Sequence, residues 1–493
     1  MAGIGFELRK IYRKKHIYSL LQGIGYSSAV TIGPTIITIG VIVIMYRLLG
    51  VLDVRYADRE LLSSTMLYAF IFPLIVTTPF NAVMSRYIAD KIFENKIADI
   101  LPSYYSGLLL SVLIQGMLSI PFYVRLYLVS DLGAFFVFSS YCLAMVIAII
   151  FYSMIYLTAT KDYRIITAQF LIGMVLAASL GYLFVKILDF EIIPGALYAL
   201  TIGFFYIAVG EFAYIKKYFN ENSGNYKESL SYFLKFKKLY LSGLFYILGL
   251  YCHNFVYWNS DLSIIVAKSY ISAPSYDMAT YLGMLTNISA MVIFIVMVET
   301  GFHERYKTFS EAIINSTLRD IEKAKNDMFR LLIQQITYVA QVQAIITSII
   351  FLLVIIFLPS MGFSGLIMNL YPALAVGYFC IFIMYCNIIF LYYFSDMTGA
   401  FLTSFLFFTG VLTGSLISMH FSVRFYGMGT VLGGFIGWTF SFFRIKYLEK
   451  NLFIHIYHNG SIIDTKKAEM PSQIVYSKVS TKHIENTKGA KNG

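Results

Sequence analysis

Acidic and basic residues fence the chain into long apolar stretches. No Asp, Glu, Lys or Arg occurs in 17–46, 61–85, 100–124, 132–160, 165–185, 192–210, 239–260, 278–298, 331–395, 397–423 or 425–443. A helix needs about 20 mostly apolar residues to cross the hydrocarbon core, so these stretches read as membrane spans. The stretch 331–395 is too long for one span and carries Pro359, Gly362, Gly365 and Pro372. That is turn chemistry, and it splits the stretch near 359–371. The pattern predicts twelve helices. The apolar runs are continuous rather than ten-residue alternations, which argues against a transmembrane β-barrel.

Lys and Arg set the orientation. With the N-terminus inside, 31 of the 38 basic residues fall on inner segments and 7 on outer loops. A wrong span count would scramble that alternation. The expected fold is an all-α polytopic membrane protein: twelve transmembrane helices in two six-helix bundles, with N- and C-termini cytoplasmic. The first bundle would occupy 21–214 and the second 239–446, joined by a basic cytoplasmic linker at 215–238. Parallel halves of this kind are a common transporter plan, although no residue-level repeat links them. The first apolar stretch follows basic residues as a signal peptide would, but it is too long for an h-region and is read as a retained span.

Three polar pieces remain. Segment 1–20 is basic and carries Ile4, Leu8, Ile11 and Tyr18, which suits an amphipathic helix on the inner leaflet or a plain positive flank. Segment 299–330 shows helical periodicity through Phe309, Ile313, Leu318 and Ile321. The tail, 447–493, is polar and lysine-rich, and its end is expected to be disordered.

Composition narrows the function. Of 493 residues 58% are hydrophobic and 13% charged, against about 25% charged in a soluble domain. A soluble protein of this length could not cover its surface with so few polar side chains. The net charge of +11 belongs mainly to the inner segments, so it signals orientation rather than nucleic-acid binding. Cys142, Cys252, Cys380 and Cys386 lie in apolar stretches without a C-x-x-C pair, which indicates neither disulfides nor a zinc site. No P-loop, H-E-x-x-H or G-x-S-x-G occurs. No enzymatic activity, cofactor or metal is expected, and transport is the default for twelve spans without an attached domain.

Ionisable and polar groups inside apolar stretches are the functional candidates, because lipid burial is expensive unless they face a cavity or a partner. His253, Asn254, Asn259 and Asp261 share the stretch YCHNFVYWNSD. Asn81 follows the prolines of span two, and His420 and Arg424 close span eleven. These seven are candidates to line a substrate path. Glu211, Glu299 and Asp396 sit at span ends, where reaching out to water is the simpler reading. Gly33, Pro34, Pro73 and Pro79 interrupt spans one and two and are candidate hinges. Gly429, Gly433 and Gly437 recur every four residues and form a face for close helix packing. The 40 Tyr and 43 Phe residues suit a path for sugar rings, but AT-rich codon usage produces the same enrichment.

The N-terminal string MAGIGFELRKIYRKK, followed by GYSSAVTIGPTIITIG, resembles the opening of the Pel exopolysaccharide export family, PelG. Gly3, Gly5, Phe6, Leu8, Arg9 and Lys10 match in register, and the segment TFSEAIINSTLRDIEKAKNDM has the family's character. The resemblance implies membership of the multidrug/oligosaccharidyl-lipid/polysaccharide exporter (MOP) superfamily in a bacterial plasma membrane. It further implies export of Pel, a partly deacetylated polymer of N-acetylgalactosamine and N-acetylglucosamine, for the biofilm matrix. The implied partners are the cytoplasmic glycosyltransferase PelF and the membrane proteins PelD and PelE, with cyclic di-GMP acting only through PelD. Spans one, two, seven and eight would line the path by analogy with the superfamily. A lipid-linked oligosaccharide flippase, an ion-coupled exporter, and a membrane scaffold that moves nothing are the alternative readings.

Overall fold

The computed structural model describes residues 55–160, 162–357 and 365–459. Helix α1 runs Tyr56–Phe93, α2 Ile100–Val129, α3 Ala134–Thr160, α4 Tyr163–Tyr182, α5 Ile192–Tyr218, α6 Tyr226–Lys235 and α7 Lys237–Tyr257. A short hairpin follows, β1 Ile264–Val266 and β2 Tyr270–Ser272, paired antiparallel with Ile265 opposite Ile271. Then come α8 Pro274–Met297, α9 His303–Asn315, α10 Leu318–Phe357, α11 Gly365–Tyr393, α12 Met397–Ser418 and α13 Met428–Asn459.

Among the described residues ten helices are long and apolar enough to cross a membrane, and they coincide with the intervals read from the sequence between 61 and 423. The count of twelve also included the first interval, which lies outside the described residues with Gly33, Pro34 and segment 1–20. It included the last one too, whose helix α13 is not among the ten. One detail differs from the expectation: Pro372 lies inside α11, not in the turn. The linker 215–238 carries a helix of its own, α6, and 299–330, read as helical, forms α9 together with the first turns of α10.

Helix α1 stays continuous through Pro73 and Pro79 because each proline removes only its own N–H. Thr77 and Thr78 donate their hydroxyls to Pro73 O and Leu74 O at 2.8 and 2.7 Å, the i−4 pattern that bends helices. Two compact units are distinguished, Met1–Ile445 and Lys446–Gly493. In the first, α3 packs on α1, α2 and α5, and α4 lies along α5. Helix α12 lies along α7, while α8 packs on α10 and α11. Helices α1 and α7 meet directly. In the second unit Lys446 pairs with Glu449 at 2.9 Å, and the helix bends at Asn451.

The turn before α12 is anchored by a buried ion pair. Asp396 is 2% exposed; it accepts the Gly399 N–H at 3.0 Å and two bonds from Arg444, at 2.5 Å from Nε and 3.0 Å from Nη2. It does not reach out to water as a span-end carboxylate would. Replacing Asp396 with Ala removes a helix cap worth about 1 kcal/mol and leaves the Arg444 charge without its bidentate partner, for a total of about 3–5 kcal/mol. Thermal unfolding of the purified variant should show that loss; an unchanged midpoint would mean that water replaces the carboxylate.

Candidate functional site

A junction of buried polar side chains lies where α7 ends and α8 begins. Pro274 starts α8, and Asp277 sits in its first turn, where a carboxylate is favoured by the helix dipole. Asp277 is 4% exposed. It accepts Asn254 Nδ2–H at 2.7 Å, Trp258 Nε1–H at 3.0 Å and the Ala273 N–H at 3.0 Å. The α-helical spacing of Asn254 and Trp258 puts both donors on one face of α7.

His253 is the next residue round that helix and is fully buried. Its Nδ1 lies 2.8 Å from Tyr276 OH and its Nε2 3.3 Å from Tyr378 OH. Neutral imidazole donates through one nitrogen and accepts through the other, and a hydroxyl on each side satisfies both. A third tyrosine continues the junction: Tyr257 OH meets Ser418 Oγ at 2.6 Å and accepts the Gly427 N–H at 3.2 Å. Its ring stacks on Tyr426 at 4.6 Å.

The same turns of α7 face α1 across an aromatic seam. Trp258 stacks on Tyr68 at 5.3 Å with the planes 7° apart, and Phe255 stacks on Phe72 at 5.9 Å. Further along, a Cβ on Gly243 of α7 would lie 3.2 Å from Pro79 Cα, so that glycine permits close approach of the helices. The β1–β2 hairpin closes the Trp258 end of the seam. Tyr68 OH donates to Ile271 O at 2.9 Å and accepts its N–H at 3.0 Å. Tyr270, fully buried, packs edge-on against Tyr68 and Phe122 at 5.0 and 5.3 Å, and burial pushes its phenol up to about 12. The hairpin turn places Ala267 and Lys268 at positive φ (49° and 56°), conformations that non-glycine residues adopt at a cost.

The other path candidates make different contacts. Asn259 and Asp261 are exposed, and Asn259 bonds back to Phe255 O at 2.9 Å. Asn259 also lines an apolar groove of about 490 Å³ with Leu248, Phe408 and Leu416, between α7 and α12. Asn81 donates to Phe151 O at 2.8 Å and so belongs to the contact of α1 with α3. His420 and Arg424 lie on the connection from α12 to α13, which also carries Tyr426 and Gly427. Gly429, Gly433 and Gly437 face α12 and α11: a Cβ on Gly433 would lie 2.5 Å from Val411 N. Pro73 and Pro79 are both buried in α1, Pro79 against α7.

Sequence reading missed Asp277, Tyr68, Tyr276 and Tyr378. Asp277 marked the edge of an apolar interval, and its signal was the Pro274 just before it, a helix start with an acid in the first turn. The three tyrosines are hidden among forty. A further buried cluster escaped as well. Lys91, 1% exposed, meets Glu228 of α6 at 2.7 Å and Asp99 at 3.3 Å. It thereby ties the linker helix to the end of α1. Among the described residues no group of three or more His, Cys, Asp or Glu side chains is placed to hold a metal.

The model of the PelG exopolysaccharide exporter family (EPS-E) matches residues 1–457. No curated protein matches the chain. Several solved structures share its fold. One is an outward-facing multidrug resistance MATE family transporter of the MOP superfamily, at 14% identity and TM-score 0.59, covering 87% of this chain and 96% of that one. Another is a point mutant of the Vibrio cholerae MATE transporter VcmN, at 12% identity and TM-score 0.58, covering 89% and 99%. A third is a MOP superfamily transporter from Pyrococcus furiosus, at 13% identity and TM-score 0.60, covering 87% and 96%.

Proposed function

Because the chain belongs to the PelG family of exopolysaccharide exporters, we propose that it conducts an amino-sugar polymer across a bacterial plasma membrane through the α1–α7–α8 seam. Family and fold make it a multi-pass membrane transporter. The observation that carries the route is the aromatic seam ending on a buried carboxylate: Tyr68, Phe72, Phe255 and Trp258, with Asp277 held behind Trp258 by its indole N–H. Flat aromatic faces suit sugar rings, and hydroxyl, amide and carboxylate groups nearby suit their hydroxyl and amino substituents.

In this reading the present structure is shut at the hairpin end, with Tyr270 and Ile271 laid over Tyr68. Opening requires the hairpin to leave α1. The basic segments face the cytoplasm, as the Lys and Arg distribution supports, so polymer enters near α6 and α9 and leaves under the hairpin. A cytoplasmic glycosyltransferase of the PelF type would feed it, PelD and PelE would hold that enzyme in place, and the product would build a biofilm matrix.

A tryptophan at Gly243 tests the route, because its ring must fit where Pro79 and Ala82 already touch. In a deletion strain complemented with the Gly243→Trp chain, a galactosamine-binding lectin should find polymer retained in the cells and largely lost outside. The glycosyltransferase should remain on the membrane. Normal secretion from that strain would overturn the seam route. Release of the glycosyltransferase from the membrane would favour a scaffold instead.

A further inference from the structure

Glu211 of α5 differs from the buried carboxyls of Asp277, Asp396 and Asp99. It is 0% exposed, and neither Oε1 nor Oε2 has a hydrogen-bond partner. Asp277 has its three donors, Asp396 has Arg444, and Asp99 has Lys91. An ionised carboxylate without donors or a counter-charge is too costly to keep in an apolar interior, and the usual resolution is that it takes up a positive charge.

The surroundings say which positive charge. A divalent metal ion is usually held by several carboxylates, and among the described residues no group of three or more His, Cys, Asp or Glu side chains is placed to hold one. The group placed near Glu211 is a neutral hydroxyl. Tyr104 of α2 lies within electrostatic reach of it and bonds Ser153 of α3 at 2.9 Å. Tyr156 packs on Tyr104 at 4.9 Å and meets Tyr152 and Ser103 at 3.1 Å each. Tyr105 flanks the neighbouring Phe212. From α4 comes Gln169, seated on Gly210, whose Oε1 is also buried without a donor. Toward the end of α5, Tyr214 donates to Asp162 at 3.1 Å.

We propose that Glu211 is a proton-binding site: it holds a proton while the first unit keeps it sealed and gives it up when motion of α5 admits water. The proton leaves with the water that this motion admits, since no hydrogen bond joins either carboxyl oxygen to the neighbouring hydroxyls. Binding and release of the proton stand on the geometry alone, whereas their use as a switch for export rests on the transport reading above.

Infrared difference spectra of the full chain in lipid, taken between acidic and alkaline buffer, separate the two claims. The carbonyl band of a protonated carboxylic acid should be present at neutral pH and absent in Glu211→Gln. It should persist in Asp277→Asn. In the unmutated chain an apolar carbodiimide, which adds only to protonated carboxyls, should label Glu211 at neutral pH and stop doing so in alkali. Identical spectra for the intact and Glu211→Gln chains, together with no label on Glu211, would overturn the proposal. If band and label are present but secretion by Glu211→Gln keeps the pH dependence of the intact chain, the proton site stands and its role in export falls.

Discussion

Asp277→Ala is expected to destabilise the chain by about 3–5 kcal/mol, because buried donors lose their acceptor. The substitution strands Trp258 Nε1–H and the Ala273 N–H and leaves Asn254 Nδ2 only the Thr280 hydroxyl at 3.5 Å. Each orphaned buried donor costs about 1–3 kcal/mol. The effect can be read directly, because the chain has only 2 Trp and one of them, Trp258, is in the cluster. Thermal unfolding followed by tryptophan fluorescence should show a lower midpoint and a shifted native emission. Secretion should fall with it, since Trp258 loses the bond that fixes its ring against Tyr68. Asp277→Asn keeps the shape and one acceptor oxygen and should fall between. Asp261→Ala is the control: that carboxylate is exposed, so a change within about 0.5 kcal/mol is expected. Equal behaviour of the Asp277 and Asp261 variants would show that the buried junction does not hold α7 to α8.

Gly433→Leu should prevent the second half of the first unit from packing at all. At Gly433 a Cβ alone would lie 2.5 Å from Val411 N and 2.8 Å from Phe407 O. A Cβ on Gly410 or Gly414 of α12 would come equally close to Gly433 Cα and Gly429 Cα, at 2.9 Å each. Backbone faces backbone here, so no rotamer change relieves the clash, and the loss should exceed the roughly 1–3 kcal/mol typical of overpacking. The purified variant should elute as aggregate, while Gly133→Ala, with nothing within 4 Å of its Cβ, should elute as the intact chain does. A well-behaved Gly433→Leu chain would mean that α12 and α13 separate readily.

Much of the helical layout was legible from charge positions. Asp, Glu, Lys and Arg are too costly in hydrocarbon to sit at random, so their spacing reports where helices cross. The glycine row at 429, 433 and 437 was legible for a related reason: only a backbone contact calls for the smallest residue at helical spacing. The limits of fences as markers show at Asp277, which bounds an interval and yet is buried with three donors. They show again at Asp396, which is neutralised by Arg444, 48 residues away in the chain.

The candidate site was half legible. His253 and Asn254 stood out because few polar residues interrupt α7. Their partners did not, because Tyr276 and Tyr378 come from two other helices and look like any of the forty tyrosines. Asn259 and Asp261 share the same sequence stretch but turn outward once α7 ends at Tyr257. The α6 latch on Lys91 was hidden by composition: a basic linker gave no sign that its anchoring residue was the acidic Glu228.

By itself the sequence determined that this chain crosses a membrane many times as helices, where most of those helices lie, and which family it resembles. Those properties follow from one-dimensional quantities: the cost of charge in lipid, the length of a span and a short N-terminal string. Tertiary structure alone decided which polar groups are partners, that α1 meets α7 in an aromatic seam, and that Glu211 is sealed without a donor. The physical reason is that a membrane helix is apolar on nearly all sides. Its pattern does not say which face turns to lipid and which to a neighbour, and only packing brings hydroxyl, amide and carboxylate within hydrogen-bond reach.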